Sequence, residues 1–143
     1  MSTPDRAVDA WRSMRTLVLD LHDRRAAVSE AVGMSYLRAK ALRLLLPGPL
    51  PMRDLGARLT TDASYTSVMV DDLEDRGLVT REVNPADRRS RLVRVTDAGR
   101  EVAHTADAIQ SAAPVALTAL PDHELATLAR ILGRLVEAST QNE

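Results

Sequence analysis

The 143-residue sequence contains no cysteine and no phenylalanine. Without a thiol it can hold no disulfide, no thiolate nucleophile, no Cys-ligated zinc and no cysteine redox switch. Aromatic residues make up only 2% of the chain, so its core must be built from Leu, Val, Ala and Met, a composition that favours helices. Long apolar runs are missing as well. The stretch LRLLLPGPL, residues 42–50, is too short and too interrupted by Arg43 and the prolines to span a bilayer. The opening MSTPDRAVDAW carries acids where a signal peptide needs a basic patch and then an apolar core. A cytoplasmic protein with no membrane partner is therefore expected. Ser, His and Asp all occur, but no nucleophile elbow or glycine-rich phosphate loop frames them, which argues against an enzyme and gives no reason to expect a cofactor. His22, His104 and His123, even taken with Asp23 and Asp107, lack diagnostic ligand spacing, so no metal site is expected.

A strong net charge is also absent: the total is −1. The average hides an uneven distribution. From Arg76 to Arg100 seven arginines face Glu82, Asp87 and Asp97, whereas from Glu101 onward two arginines face six acids. Three of these arginines crowd into NPADRRSR, residues 84–91, between two runs that read as strands, LVTREV and LVRV. Positive charge on a loop can reach out to a polyanion.

Helical periodicity organises the rest. Val8, Trp11, Met14, Val18 and Leu21 recur at helical spacing within residues 5–30, which predicts one amphipathic helix ended by Gly33. Ser35 caps a second helix over residues 35–46, and PGPLP forces a loop. A third short helix, MRDLGARL, follows Pro51. Asp62 caps a fourth, ASYTSVMVDDLEDR, whose inward stripe is Tyr65 or Thr66 with Met69, Val70 and Leu73, and which Gly77 stops. Two helices joined by LTTD make a helix-turn-helix. Strands follow near Leu78 to Val83 and Arg91 to Val95. Thr96 caps a long helix that Pro114 kinks or ends, and Pro121 with Asp122 opens a last helix seamed by Leu125, Leu128, Leu132 and Leu135. The expected fold is mainly α with a small β-hairpin wing. It is a winged helix-turn-helix over residues 34–100, between an N-terminal dimerisation helix in residues 1–33 and C-terminal dimerisation helices in residues 101–143.

The stretch from Leu55 to Gly99 resembles the MarR family of dimeric transcription regulators. The shared motifs are Leu73 and Glu74 before Gly77, Leu78 and Val79; the wing tip Asp87, Arg88 and Arg89; and Val95, Thr96 and Gly99 opening the next helix. Several motifs in order at the right spacing make the signal specific, although at motif level it covers only the middle third of the chain. The resemblance implies a homodimer that binds double-stranded DNA through its winged domain. It also implies an effector pocket where the dimer helices meet that domain, near Trp11, Arg15, His22 and Met34. An inward Trp11 reads equally as core or dimer interface.

An arginine on a narrow hairpin can enter a minor groove and meet its negative potential. Insertion is assigned to Arg89, with Arg88 and Arg91 on phosphates or in contact with Asp87. The Asp87 carboxylate is expected to hold a guanidinium and so keep the tip in shape. Family members often carry a basic residue near the position of Val68, and this chain has none. Base reading must then rest on the neutral groups of Ser64, Tyr65, Thr66 and Ser67, with the alternative that Tyr65 packs against the third helix. The function expected is a sequence-specific DNA-binding regulator, a repressor released by a small molecule on a pseudo-palindromic operator. The alternative is a winged protein-interaction module that has lost DNA binding.

Overall fold

The computed structural model describes residues 2–142. It divides into a unit that ends at Ser111 and a unit that begins at Ala112. Helix α1, Thr3–Arg15, opens with a capping box: the Ser2 hydroxyl accepts from the Asp5 N–H while the Asp5 carboxylate accepts from the Ser2 N–H. It continues into a π-helical turn, Thr16–Leu21, closed by the His22 N–H donating to the Leu17 carbonyl at 2.9 Å. There the helix breaks. Asp23 accepts from the Arg25 N–H at 3.0 Å and grips the Arg25 guanidinium, and α2, Arg25–Val32, begins. The single helix expected over residues 5–30 is thus two, because a local carboxylate bond competes with the helical ladder. Gly33, at φ 67°, ends α2 as expected.

The caps read from the sequence hold α3, α5 and α6. Ser35 accepts from the Arg38 N–H to start α3, Tyr36–Leu44. Helix α4, Met52–Leu59, leads through a turn to α5, Ala63–Asp75, where Asp62 accepts from the Tyr65 N–H at 2.7 Å. Gly77, at φ 74°, then reverses the chain into β2, Val79–Val83, which pairs antiparallel with β3, Arg91–Val95. Thr96 caps α6, Asp97–Gln110, by accepting from the Gly99 N–H. One strand escapes sequence reading: β1, Leu50–Pro51, pairs with β3 opposite Val93 and Leu92 and makes the sheet order β1-β3-β2. Two residues show no periodicity, and proline is tolerated there because the strand is at an edge.

The core of the first unit is aliphatic. Leu42, Leu45, Leu55, Met69, Leu73, Val79 and Val93 are fully buried, joining α3, α4 and α5 to the sheet. Each such side chain contributes about 1.5–3 kcal/mol. Helix α6 adds Ala103 to this core and sets Ala106 against Val28 and Ala39. That packing on α2 and α3 joins α6 to the first unit. By contrast, no described residue of α1 is buried, and Trp11 is 66% exposed, so it is not core within this chain. The second unit holds α7, Val115–Thr118, and α8, Asp122–Thr140. Ile131, Leu132, Leu135 and Val136 of α8 are exposed. Among the described residues, no helix is long and apolar enough to cross a membrane.

Candidate nucleic-acid interface

Helices α4 and α5 cross closely. A Cβ on Gly56 would lie 2.8 Å from the Thr66 hydroxyl, which donates to the Asp62 carbonyl at 2.7 Å and lies 2.8 Å from the Thr61 hydroxyl. Thr66 is therefore 2% exposed and faces the interior. This corrects its place among the expected DNA contacts: its hydroxyl is committed to the turn between the helices. Tyr65 takes the opposite face and is 46% exposed, so it is not packed away in the interior. Ser64, Ser67 and Val68 share that exposed side.

The wing tip is shaped by main-chain bonds. Asn84 accepts from the Ala86 N–H at 3.0 Å, and Asp87 accepts from the Arg89 N–H at 3.0 Å. The Ser90 N–H closes the turn on the Asp87 carbonyl at 3.0 Å. The Asp87 carboxylate thus accepts from a backbone N–H rather than from the guanidinium expected from the sequence. Short carboxylates commonly bond two residues on in this way, and doing so leaves the arginine side chains uncommitted. Among the described residues, Arg88, Arg89 and Arg91 make no ion pair. A groove of about 760 Å³ separates the tip from the starts of α4 and α5, with Arg89, Arg91 and Asn84 on one side and Arg53, Asp54 and Ala63 on the other. Arg53 was missed by sequence reasoning. Nothing local distinguishes it from any exposed helix arginine, and only the tertiary fold sets it opposite the wing.

The acids that end α5 are largely paired. Asp72 accepts from Arg38 of α3 at 2.8 Å and from Arg76 at 2.9 Å, and these guanidiniums, Arg38 first, hold its carboxyl below the ordinary range. Asp71 pairs with Arg81 of β2, and Glu74 accepts from the Arg81 backbone N–H at 3.2 Å. Arg94 pairs with Glu82 across the hairpin at 2.8 Å. The four residues expected around an effector are not gathered in one cavity. Met34 lies in the main core and His22 is half-buried, whereas Trp11 and Arg15 are exposed. Neither the groove beside the wing nor the one along α8 is lined by any of them. Among the described residues, no group of three His, Cys, Asp or Glu side chains is placed to hold a metal ion.

The MarR family model matches residues 32–90, the span from α2 to the wing tip. The uncharacterised HTH-type transcriptional regulator YkoM of Bacillus subtilis is 28% identical over 98 residues, covering 68% of this chain. This chain spans 64% of YkoM's length. A probable transcriptional regulator from Pseudomonas aeruginosa is 34% identical, with a TM-score of 0.55 over 78% of this chain and 88% of its own. Sco5413, a MarR family transcriptional regulator from Streptomyces coelicolor, is 29% identical with a TM-score of 0.61 over 98% of each chain. The helix-turn-helix, the wing and these relatives agree: the chain belongs to the MarR family of winged-helix transcription regulators, a family of regulators rather than enzymes.

Proposed function

We propose that this chain is a sequence-specific DNA-binding regulator, acting in the cytoplasm as a homodimeric repressor on a pseudo-palindromic operator. The observation that carries the reading is the set of unpaired wing arginines, Arg88, Arg89 and Arg91, of which Arg89 and Arg91 line a groove shared with the start of α5. Their charge meets phosphates or a minor groove, while Ser64, Tyr65 and Ser67 face base edges. Residues 34–100 form the DNA-binding part. The exposed apolar side chains of α1 and of α8 support dimerisation through residues 1–33 and 101–143, since faces of this kind normally mark an interface. An effector site at Trp11, Arg15 and His22, closed by Met34, then needs the second copy to complete it. An aromatic or amphipathic anion would suit such a lining. By preferring the dimer shape with wrongly spaced recognition helices, this ligand would release the operator.

A second reading, an interaction module without DNA binding, is favoured by exposed Tyr65 and Val68 on a helix face that carries no cation. Selection from a random duplex pool separates the two. The wild type is expected to recover a pseudo-palindrome with half-sites about one helical turn apart. Ser64→Ala and Tyr65→Ala should each shift the preferred bases more than they weaken non-specific binding. Recovery of no preferred sequence by the wild type overturns the DNA-binding reading.

A further inference from the structure

Ser64, Ser67, Val68 and Asp71 are spaced three and four residues apart and so share one face of α5. Asp71 therefore lies on the face that the proposed function turns towards duplex DNA, where a bare carboxylate would meet phosphates of the same sign. An uncompensated Asp71 would oppose binding through that repulsion.

Arg81, in the middle of β2, compensates it. Its Nη2 pairs with Asp71 Oδ1 and lies 3.4 Å from the Ser67 carbonyl one turn back, while its backbone N–H donates to Glu74. The two side chains are unequally placed: Arg81 is 24% exposed and Asp71 59%. The arginine thus reaches α5 from within, and the carboxylate is the member that faces outward. Arg81 Nε is buried without a hydrogen-bond partner, so the guanidinium is held by its terminal nitrogen on α5. The Arg81 side chain thus adds an ionic link between β2 and the recognition helix, although no DNA contact is asked of it.

We propose that Arg81 is a positioning residue for DNA recognition: it neutralises Asp71 on the reading face, without itself touching the duplex. This role rests on the DNA-binding reading above. It differs from that of Arg88, Arg89 and Arg91, whose side chains are free to meet phosphate directly.

The test is a set of variants titrated into a fluorescently labelled duplex across a range of salt concentrations. Arg81→Ala unmasks Asp71 and is expected to weaken binding roughly fivefold or more. Adding Asp71→Asn to that variant should restore affinity to within about twofold of wild type, because no charge is left to shield. Arg81→Lys, which keeps the charge, should bind more tightly than Arg81→Ala. Asp71→Asn alone should not weaken binding. If the double variant folds, by circular dichroism, yet binds as weakly as Arg81→Ala, then Arg81 contacts DNA itself and the shielding role is wrong. Equal weakness of the folded Lys and Ala variants overturns it too. If the wild type binds no duplex at any salt concentration, the DNA-binding reading fails and the shielding role falls with it, an outcome distinct from a binding wild type that the Asp71 change cannot rescue.

Discussion

A Cβ placed on Gly99 would lie 2.0 Å from the carbonyl oxygen of Leu78. That oxygen already accepts from the Thr96 N–H at 3.0 Å, while the Thr96 hydroxyl donates to the Gly77 carbonyl at 2.7 Å. The start of α6 is thereby fastened to the residue that leads into β2, and the contact is backbone on backbone. Gly99→Ala cannot be relieved by a rotamer change and should destabilise the protein by about 3 kcal/mol or more. Urea unfolding checks this: a variant with an unchanged midpoint would show that the corner can open without penalty.

Acid should loosen the turn between the π-helical segment and α2 in a defined window. The Arg25 side chain, and then its backbone N–H, hold Asp23 near a pKa of about 2 against an ordinary 3.8. A depressed carboxylate contributes stability that is complete above its unfolded value, here about pH 4, and is lost as pH falls through about 2. Asp72 is shifted in the same direction by Arg38 and Arg76 and adds to the loss. Unfolding measured between these limits should show stability falling with pH, and Asp23→Asn should flatten part of the slope. An unaltered slope in that variant would mean that the pair is too solvated to matter.

The wing arginines should reveal their role through salt. Arg89→Ala is expected to weaken binding across sequences and to lower the slope of log K against log salt by about one, because one released counterion is lost. Arg88→Ala and the double variant extend the test. Unchanged affinity at moderate salt in all three would remove the wing from the interface.

The order of elements is legible in the sequence because its signals are local. Ser35, Asp62 and Thr96 each accept from a backbone N–H three residues on, so the caps of α3, α5 and α6 depend on almost nothing outside their own turn. Gly77 stops α5 for a reason equally local, its positive φ. The wing was legible as two strands around a basic tip for the same reason. Phase and partnership were not. Tyr65 and Thr66 are neighbours, and only the crossing of α4 over α5 at Gly56 turns Thr66 inward. Asp23 breaks a helix that periodicity alone would have continued, since its bond to Arg25 competes with a ladder that hydropathy cannot weigh. Asp87 finds a main-chain donor two residues away instead of a guanidinium.

Charge was the least readable quantity. Asp71 and Asp72 make α5 look hostile to a polyanion in one dimension, yet Arg81 and Arg38 reach them from a strand and from another helix. Arg53 likewise becomes part of the groove only when α4 is set opposite the wing. The sequence by itself determined the capped helices α3, α5 and α6, the two wing strands and the tip between them, because capping, periodicity and turn chemistry act over a few residues. Only the tertiary structure decided which arginines stay free and which are spent on carboxylates, because an ion pair forms between side chains that folding brings together, as with Arg38 and Asp72, 34 residues apart.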